Sequence, residues 1–375
     1  MILRKSSKNT VAQVLAHHDT LIALGCNVID ILKIACHDGG GKNIEALTTV
    51  LTNLKDAAGC PIALTDLHPE LTLEHLIRVL SHGGGSRNCQ ALIDALFNLK
   101  TTEGRPIRLA ELHPNLTIEH LIKVLSHNGG SRNWQTLVDA LTNLKTTEGL
   151  PIRLAELHPE LTLEHLIRVL SHHGGSRNWQ ALVEALSNLK TTEGRPIRLA
   201  ELHPELTLEH LIRVLSRDGG SRNWQALVDA LSNLKTTEGR PIRLAELHPN
   251  LTIEHLIKVL SHNGGSRNWQ TLVEALTNLK TTEGLPIRLA ELHPELTLEH
   301  LVRVLSHHGG SRNWQALVEA LSNLKTTEGH PIRLAELHPE LTLEHLIRVL
   351  SHDGGSRNWK ALVEALSNLK TTEGY

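Results

Sequence analysis

The sequence predicts an all-α solenoid of tandem 45-residue repeats, and three observations predict it. The string Ser-His-Xaa-Gly-Gly recurs at Ser81, Ser126, Ser171, Ser216, Ser261, Ser306 and Ser351, always 45 residues apart, with Arg217 replacing His once. A fixed period of this size marks a stacked array rather than separate globular domains. Apolar residues within each repeat recur at helical spacing. The composition is skewed as copying would skew it: 26 His in 375 residues, against six Trp, one Tyr and one Phe.

The elements follow in chain order. Residues 1–26 read as an N-terminal cap, with Val11, Val14, Leu15, Leu21, Ile22 and Leu24 spaced as on one helix. Residues 27–70 form a diverged first repeat, with Lys42 where later repeats carry Arg and Ile44 where they carry Trp. Residues 71–375 hold seven tandem repeats, the last ending after its second helix. The whole reads as one continuous solenoid domain, because a single repeat cannot bury its apolar stripes alone.

Within the repeat from Leu116 to Glu160, Ile118, Leu121, Ile122 and Leu125 make an i, i+3, i+4, i+7 stripe, which predicts a first helix over about 118–126. Thr117 is its expected N-cap, and Glu119 sits favourably in the first turn. Gly129 and Gly130 turn the chain. A second helix is expected from about Ser131, with Trp134, Leu137, Val138, Leu141 and Leu144 on one face. Thr146, Thr147, Glu148 and Gly149 close it, and Pro151 opens a short third helix from Ile152 to Leu157, ending before His158 and Pro159.

Composition narrows the function classes. The 38 Lys and Arg nearly cancel the 40 Asp and Glu, leaving a net charge of −2, so no bulk positive charge argues for nucleic acid. Four Cys without a C-x-x-C pair fit a reduced, intracellular protein. No run of 18 apolar residues and no signal-peptide pattern is present, which points to a soluble chain without a membrane partner.

Most framework positions are constant across the repeats, but the residue before the two glycines is not: Asp38, Gly83, Asn128, His173, Asp218, Asn263, His308 and Asp353. A purely structural loop residue has no reason to change charge and size while its surroundings stay fixed. A residue that meets successive features of a ligand has one. Residues 105–239 and 240–374 are nearly one block of three repeats, so the second Asn, His, Asp series duplicates the first.

Leu-Thr-x-Glu, then Ser-His-Xaa-Gly-Gly, then a helix bearing Ala-Leu-x-x-Ala-Leu resembles the repeat of bacterial TAL effectors and TAL-effector-like DNA-binding proteins. The resemblance covers about residues 27–370. It implies a right-handed superhelix that binds double-stranded DNA as a monomer, without cofactor, each loop entering the major groove and one residue reading one base. The eight variable residues are the matching base readers. The residue before each, His37, His82, His127, His172, Arg217, His262, His307 or His352, would brace its loop on its own first helix, Arg217 departing from the pattern. The repeats here are longer than that family's, the excess being the stretch Gly149–Pro159 and its equivalents.

Elementary chemistry agrees with that reading. Asp accepts from the cytosine amino group, Asn or His pairs with a purine N7 edge, and Gly leaves room for the thymine methyl. The resemblance therefore implies cytosine for Asp, thymine for Gly83 and a purine for Asn, with His173 and His308 open. Gly40, Gly85, Gly130, Gly175, Gly220, Gly265, Gly310 and Gly355 open the second helices, whose free N–H groups suit a phosphate. Lys42, Arg87, Arg132, Arg177, Arg222, Arg267, Arg312 and Arg357 stand in the first turn of the same helices and are the expected phosphate contacts.

Other constellations carry less. His68, His75 and His82 tempt a metal reading, but Pro69 and helix boundaries separate them and no thiols join them, so no metal is expected. The repeated Trp lies on the apolar stripe, and Cys89 takes its place once. Ser, His and Asp recur in every repeat, whereas an active site is singular, so no catalytic residue and no small-molecule substrate is expected. The alternative to DNA is a protein-binding or RNA-binding scaffold that uses the same loops.

Overall fold

A computed structural model describes residues 8–37, 39–55, 58–97, 108–143, 154–187, 199–232, 243–277, 288–323 and 334–372. The regular elements among them are helices, apart from one isolated antiparallel bridge between Lys55 and Pro61. The chain divides into two compact bodies, Met1–Ser187 and Asn188–Tyr375.

The N-terminal body opens with α1 (Lys8–Ala23), which packs along α3 (Gly40–Asn53) and buries Leu21 completely. Between them α2 (Val28–Ala35) starts at Asn27, whose side chain accepts the Asp30 N–H at 2.9 Å. Later repeats share one order of elements. In the Asn128 repeat these are a short helix Leu109–Leu112, a first helix Ile118–Leu125 and a second helix Gly130–Asn143. The same three recur in the C-terminal body from Leu199–Leu202 through Gly355–Thr372. The tandem helical repeat expected from the sequence is thus present in both bodies. Thr146 to Gly149, Pro151 and Ile152 lie outside the described residues, and the short helix there is described as Leu154–Leu157.

The first helix has only eight residues, too few to be stable alone. Two features hold it. Ile118, Leu121, Ile122, Val124 and Leu125 are all buried, against the second helix of the same repeat and the helices of its neighbours. Its N-terminus is closed by a reciprocal cap in which histidine takes the place usually held by Glu or Gln. The Thr117 hydroxyl accepts the His120 N–H at 3.4 Å, and His120 Nδ1 accepts the Thr117 N–H at 3.2 Å. Trp134, Trp179, Trp224, Trp269, Trp314 and Trp359 are all buried, as the apolar stripe predicts. Cys89 is 1% exposed in the same position, where burial pushes its thiol up to about 12.

Candidate functional site

The loops between first and second helices carry the variable residues. Their backbone is fixed by two glycines with different tasks. Gly129 has φ +80°, a left-handed conformation costly for a side chain. Gly130 lies so close to the end of the first helix that a Cβ there would sit 2.5 Å from the Leu125 carbonyl oxygen. Both conditions recur at each later loop, from Gly84 and Gly85 through Gly354 and Gly355.

A buried asparagine in the first turn of one second helix holds the next repeat's loop in place. Asn88, 1% exposed, donates from Nδ2 to the carbonyls of Leu125 and His127, both at 2.9 Å. Its Oδ1 accepts the Ser131 N–H at 2.9 Å. One carboxamide thus clamps the end of the following first helix, the loop and the start of the following second helix. Asn133 does the same to Leu170, His172 and Ser176, and Asn268 to Leu305, His307 and Ser311. Asn43, Asn223 and Asn313 make parts of the same set. The sequence reading missed these residues, although an Asn after the Lys or Arg of the second helix in every repeat was a visible signal.

The loop histidines form columns. In the N-terminal body the ring centroids of His37, His82, His127 and His172 follow one another at 6.0, 5.7 and 5.9 Å. In the C-terminal body His262, His307 and His352 do so at 5.8 and 6.0 Å. Each ring therefore meets the rings of adjacent repeats. Burial lowers the pKa of His82, and His127, His37 and Arg78 lower it further. Burial also lowers His262, with His307, Arg217 and Arg213 adding and Asp353 opposing. Arg217, exposed, stands in a loop of this body where other repeats place a ring.

Asn128, His173, Asp218, Asn263, His308 and Asp353 are exposed, Gly83 is half-buried and Asp38 lies outside the described residues. They touch one another from repeat to repeat. His173 Nδ1 lies 3.3 Å from the Asn128 carbonyl oxygen, and His308 Nδ1 lies 3.4 Å from that of Asn263. Asn263 Nδ2 donates to Asp218 Oδ2 at 3.5 Å, and the His308 N–H donates to Asp353 Oδ1 at 3.0 Å. A Cβ at Gly83 would meet the Asn128 carboxamide at 2.5 Å. Gly83, Asn128 and His173 form a row in the N-terminal body, and Asp218, Asn263, His308 and Asp353 form one in the C-terminal body.

The expected phosphate groups divide into two kinds. The N–H groups of Gly40, Gly85, Gly130, Gly175, Gly220, Gly265, Gly310 and Gly355 all donate to the carbonyl of the loop residue three positions earlier, at 2.9 to 3.0 Å. The N–H of the next residue, as in Ser86 and Ser131, is held by the clamp asparagine. The helix-start amides are thus engaged inside the fold, which corrects the expectation that they stand free. Lys42, Arg87, Arg132, Arg177, Arg222, Arg267, Arg312 and Arg357 are all exposed and make no ion pair with another described residue.

A second basic row behaves differently. Arg78, Arg213 and Arg303 pair with Glu119, Glu254 and Glu344 of the following repeat, at 3.4, 3.4 and 2.7 Å. The same glutamates accept from the capping histidines. His75 Nε2 lies 2.7 Å from Glu119, and His210 Nε2 lies 2.6 Å from Glu254. Because Nδ1 of these rings accepts from a backbone N–H, the proton sits on Nε2 and points at the glutamate. Hydrogen bonding from Arg303 holds the Glu344 carboxyl below the usual carboxylate range.

Among the described residues no three His, Cys, Asp or Glu side chains are grouped as a metal site requires, and no helix is long and apolar enough to cross a membrane. The chain matches no protein-family model and no curated protein.

Proposed function

We propose that this protein binds double-stranded DNA sequence-specifically and without catalysis, each loop tip reading one base in the major groove. One observation carries the reading. The residue before the two glycines, whose chemistry changes from repeat to repeat, is the tip of a loop held between the same two helices by the same pair of glycines among the described repeats.

The spacing supports it. A path that rises ~3.4 Å per base pair and turns once in ~10.5 base pairs advances about 6 Å per step at a radius of about 8 Å. The loop rings succeed one another at 5.7 to 6.0 Å. The unpaired basic row supports it too. A cation in the first turn of a helix faces the positive end of the dipole, at a cost of about 0.3–1 kcal/mol at an exposed site. Eight second helices nevertheless carry Lys or Arg there. An anion bound beside the side chain reverses that cost, and phosphate oxygens are such anions.

A pool of randomised duplexes, selected by binding and sequenced, tests the proposal; a shared consensus is expected. Asp218→Asn is expected to change the preferred base at one position only. If each of the eight cations meets one phosphate, the slope of log affinity against log salt is about −7. A flat salt response together with unselected sequences sinks the reading, and is what a protein-binding scaffold would give.

A further inference from the structure

We infer that the recognised duplex contains a direct repeat with a period of three base pairs. The inference rests on the reading of the loop tips as base readers and adds what the target must look like. Asn128, His173 and Asp218 recur in the same order as Asn263, His308 and Asp353, each 135 residues later. Between the blocks 105–239 and 240–374 the differences are Asp139/Glu274, Ile167/Val302, Arg195/His330, Arg217/His352, Gln225/Lys360 and Asp229/Glu364. None of them is a tip.

The local geometry of the histidine tips repeats with the sequence. His173 Nδ1 reaches back to the Asn128 carbonyl at 3.3 Å, and His308 Nδ1 to the Asn263 carbonyl at 3.4 Å. The loops under them are clamped alike, the His172 carbonyl by Asn133 at 3.0 Å and the His307 carbonyl by Asn268 at 3.0 Å. Two tips of the same chemistry, held the same way, select the same base edge. Both blocks run in the same direction along one chain, so the two copies in the target run the same way. A palindrome is the target of a two-fold symmetric dimer, whose halves face opposite ways. This chain carries its duplication head to tail, and Asp38 and Gly83 read outside the two copies.

The full-length protein and the selected pool test this. The expected consensus has three consecutive positions repeated identically three base pairs further on. Three synthetic duplexes then follow: the direct repeat, the same duplex with one base pair inserted between the copies, and one with the second copy inverted. Inserting or inverting takes three tips out of register, and affinity is expected to fall on the order of 100-fold. The variant His308→Asn, whose neighbours Asn263 and Asp353 both belong to the second copy, is expected to change the preference in that copy alone, so its consensus loses the repeat at that one step. A consensus without the period, or equal affinity for the direct and inverted duplexes, overturns this inference and leaves base reading by the loops intact. No consensus at all overturns both.

Discussion

At the scale of the residue, the abundance of histidine resolves into three positions per repeat with different work. His113 Nδ1 accepts the Asn115 N–H at 3.2 Å and closes a turn. His120 caps a helix and lies 2.7 Å from Glu164 of the next repeat. His127 stacks between His82 and His172. The sequence made the loop position legible because its neighbour varies. The capping position was half legible, since Thr117 was expected as the cap but its histidine partner was not. The clamp was not legible, because the partners of Asn88 stand 37 and 39 residues away along the chain, beyond any local periodicity. Its removal makes a sharp prediction. Asn133→Ala removes the side-chain partner of the buried Leu170 carbonyl and of the Ser176 N–H and leaves the His172 carbonyl with the Gly175 N–H alone, so stability is expected to fall by about 2–4 kcal/mol. Urea unfolding, followed by circular dichroism, checks it. A change under about 0.5 kcal/mol would mean that water replaces the amide without loss.

At the scale of the element, the short first helix was legible to within a residue, 118–126 expected against Ile118–Leu125 found. Its stripe and its N-cap both lie in contiguous sequence. The two glycines were legible as a turn but not as two separate constraints, because the second depends on how near the Leu125 carbonyl comes. The difference is testable. Gly129→Ala strains a left-handed residue in otherwise open space and is expected to lose about 1–2 kcal/mol. Gly130→Ala drives a methyl into backbone and is expected to lose more, with the loop displaced. Comparing the two melting temperatures decides it, and equal losses would contradict the close approach. Leu166→Ala, at a fully buried position, is expected to lose about 2–5 kcal/mol and sets the scale for both.

At the scale of the whole molecule, the period gave the architecture, while the electrostatics needed coordinates. Net charge near zero hides two basic rows, one neutralised by glutamates of the next repeat and one left open. Acid is expected to weaken the fold in two stages. His82, His262 and His307 have lowered pKa values, so between those values and the ordinary ~6.5 the unfolded chain holds more protons. Their contribution is complete above about pH 6.5 and is lost as pH falls below it. Burial raises the Glu119 carboxyl, but the His75 hydrogen bond and the Arg78 charge outweigh burial and hold it low, as Arg303 holds Glu344. That part survives down to the ordinary carboxylate range near ~4.3 and disappears beneath it. Melting temperatures measured from about pH 7.5 to about pH 3.5 should decline across both windows. Replacing His82, His262 and His307 together with Gln should flatten the upper one.

The asparagine clamp has a consequence for anyone who would rearrange these modules. Each carboxamide belongs to one repeat and grips the hairpin of its successor, so cause and symptom are displaced by a step. Damage at Asn88 will surface in the loop that carries Asn128, not in the one that carries Gly83. The natural cassette for shuffling therefore begins at a second helix and ends at the following tip. Cutting at the conspicuous Ser-His string would part every finger from the hand that steadies it.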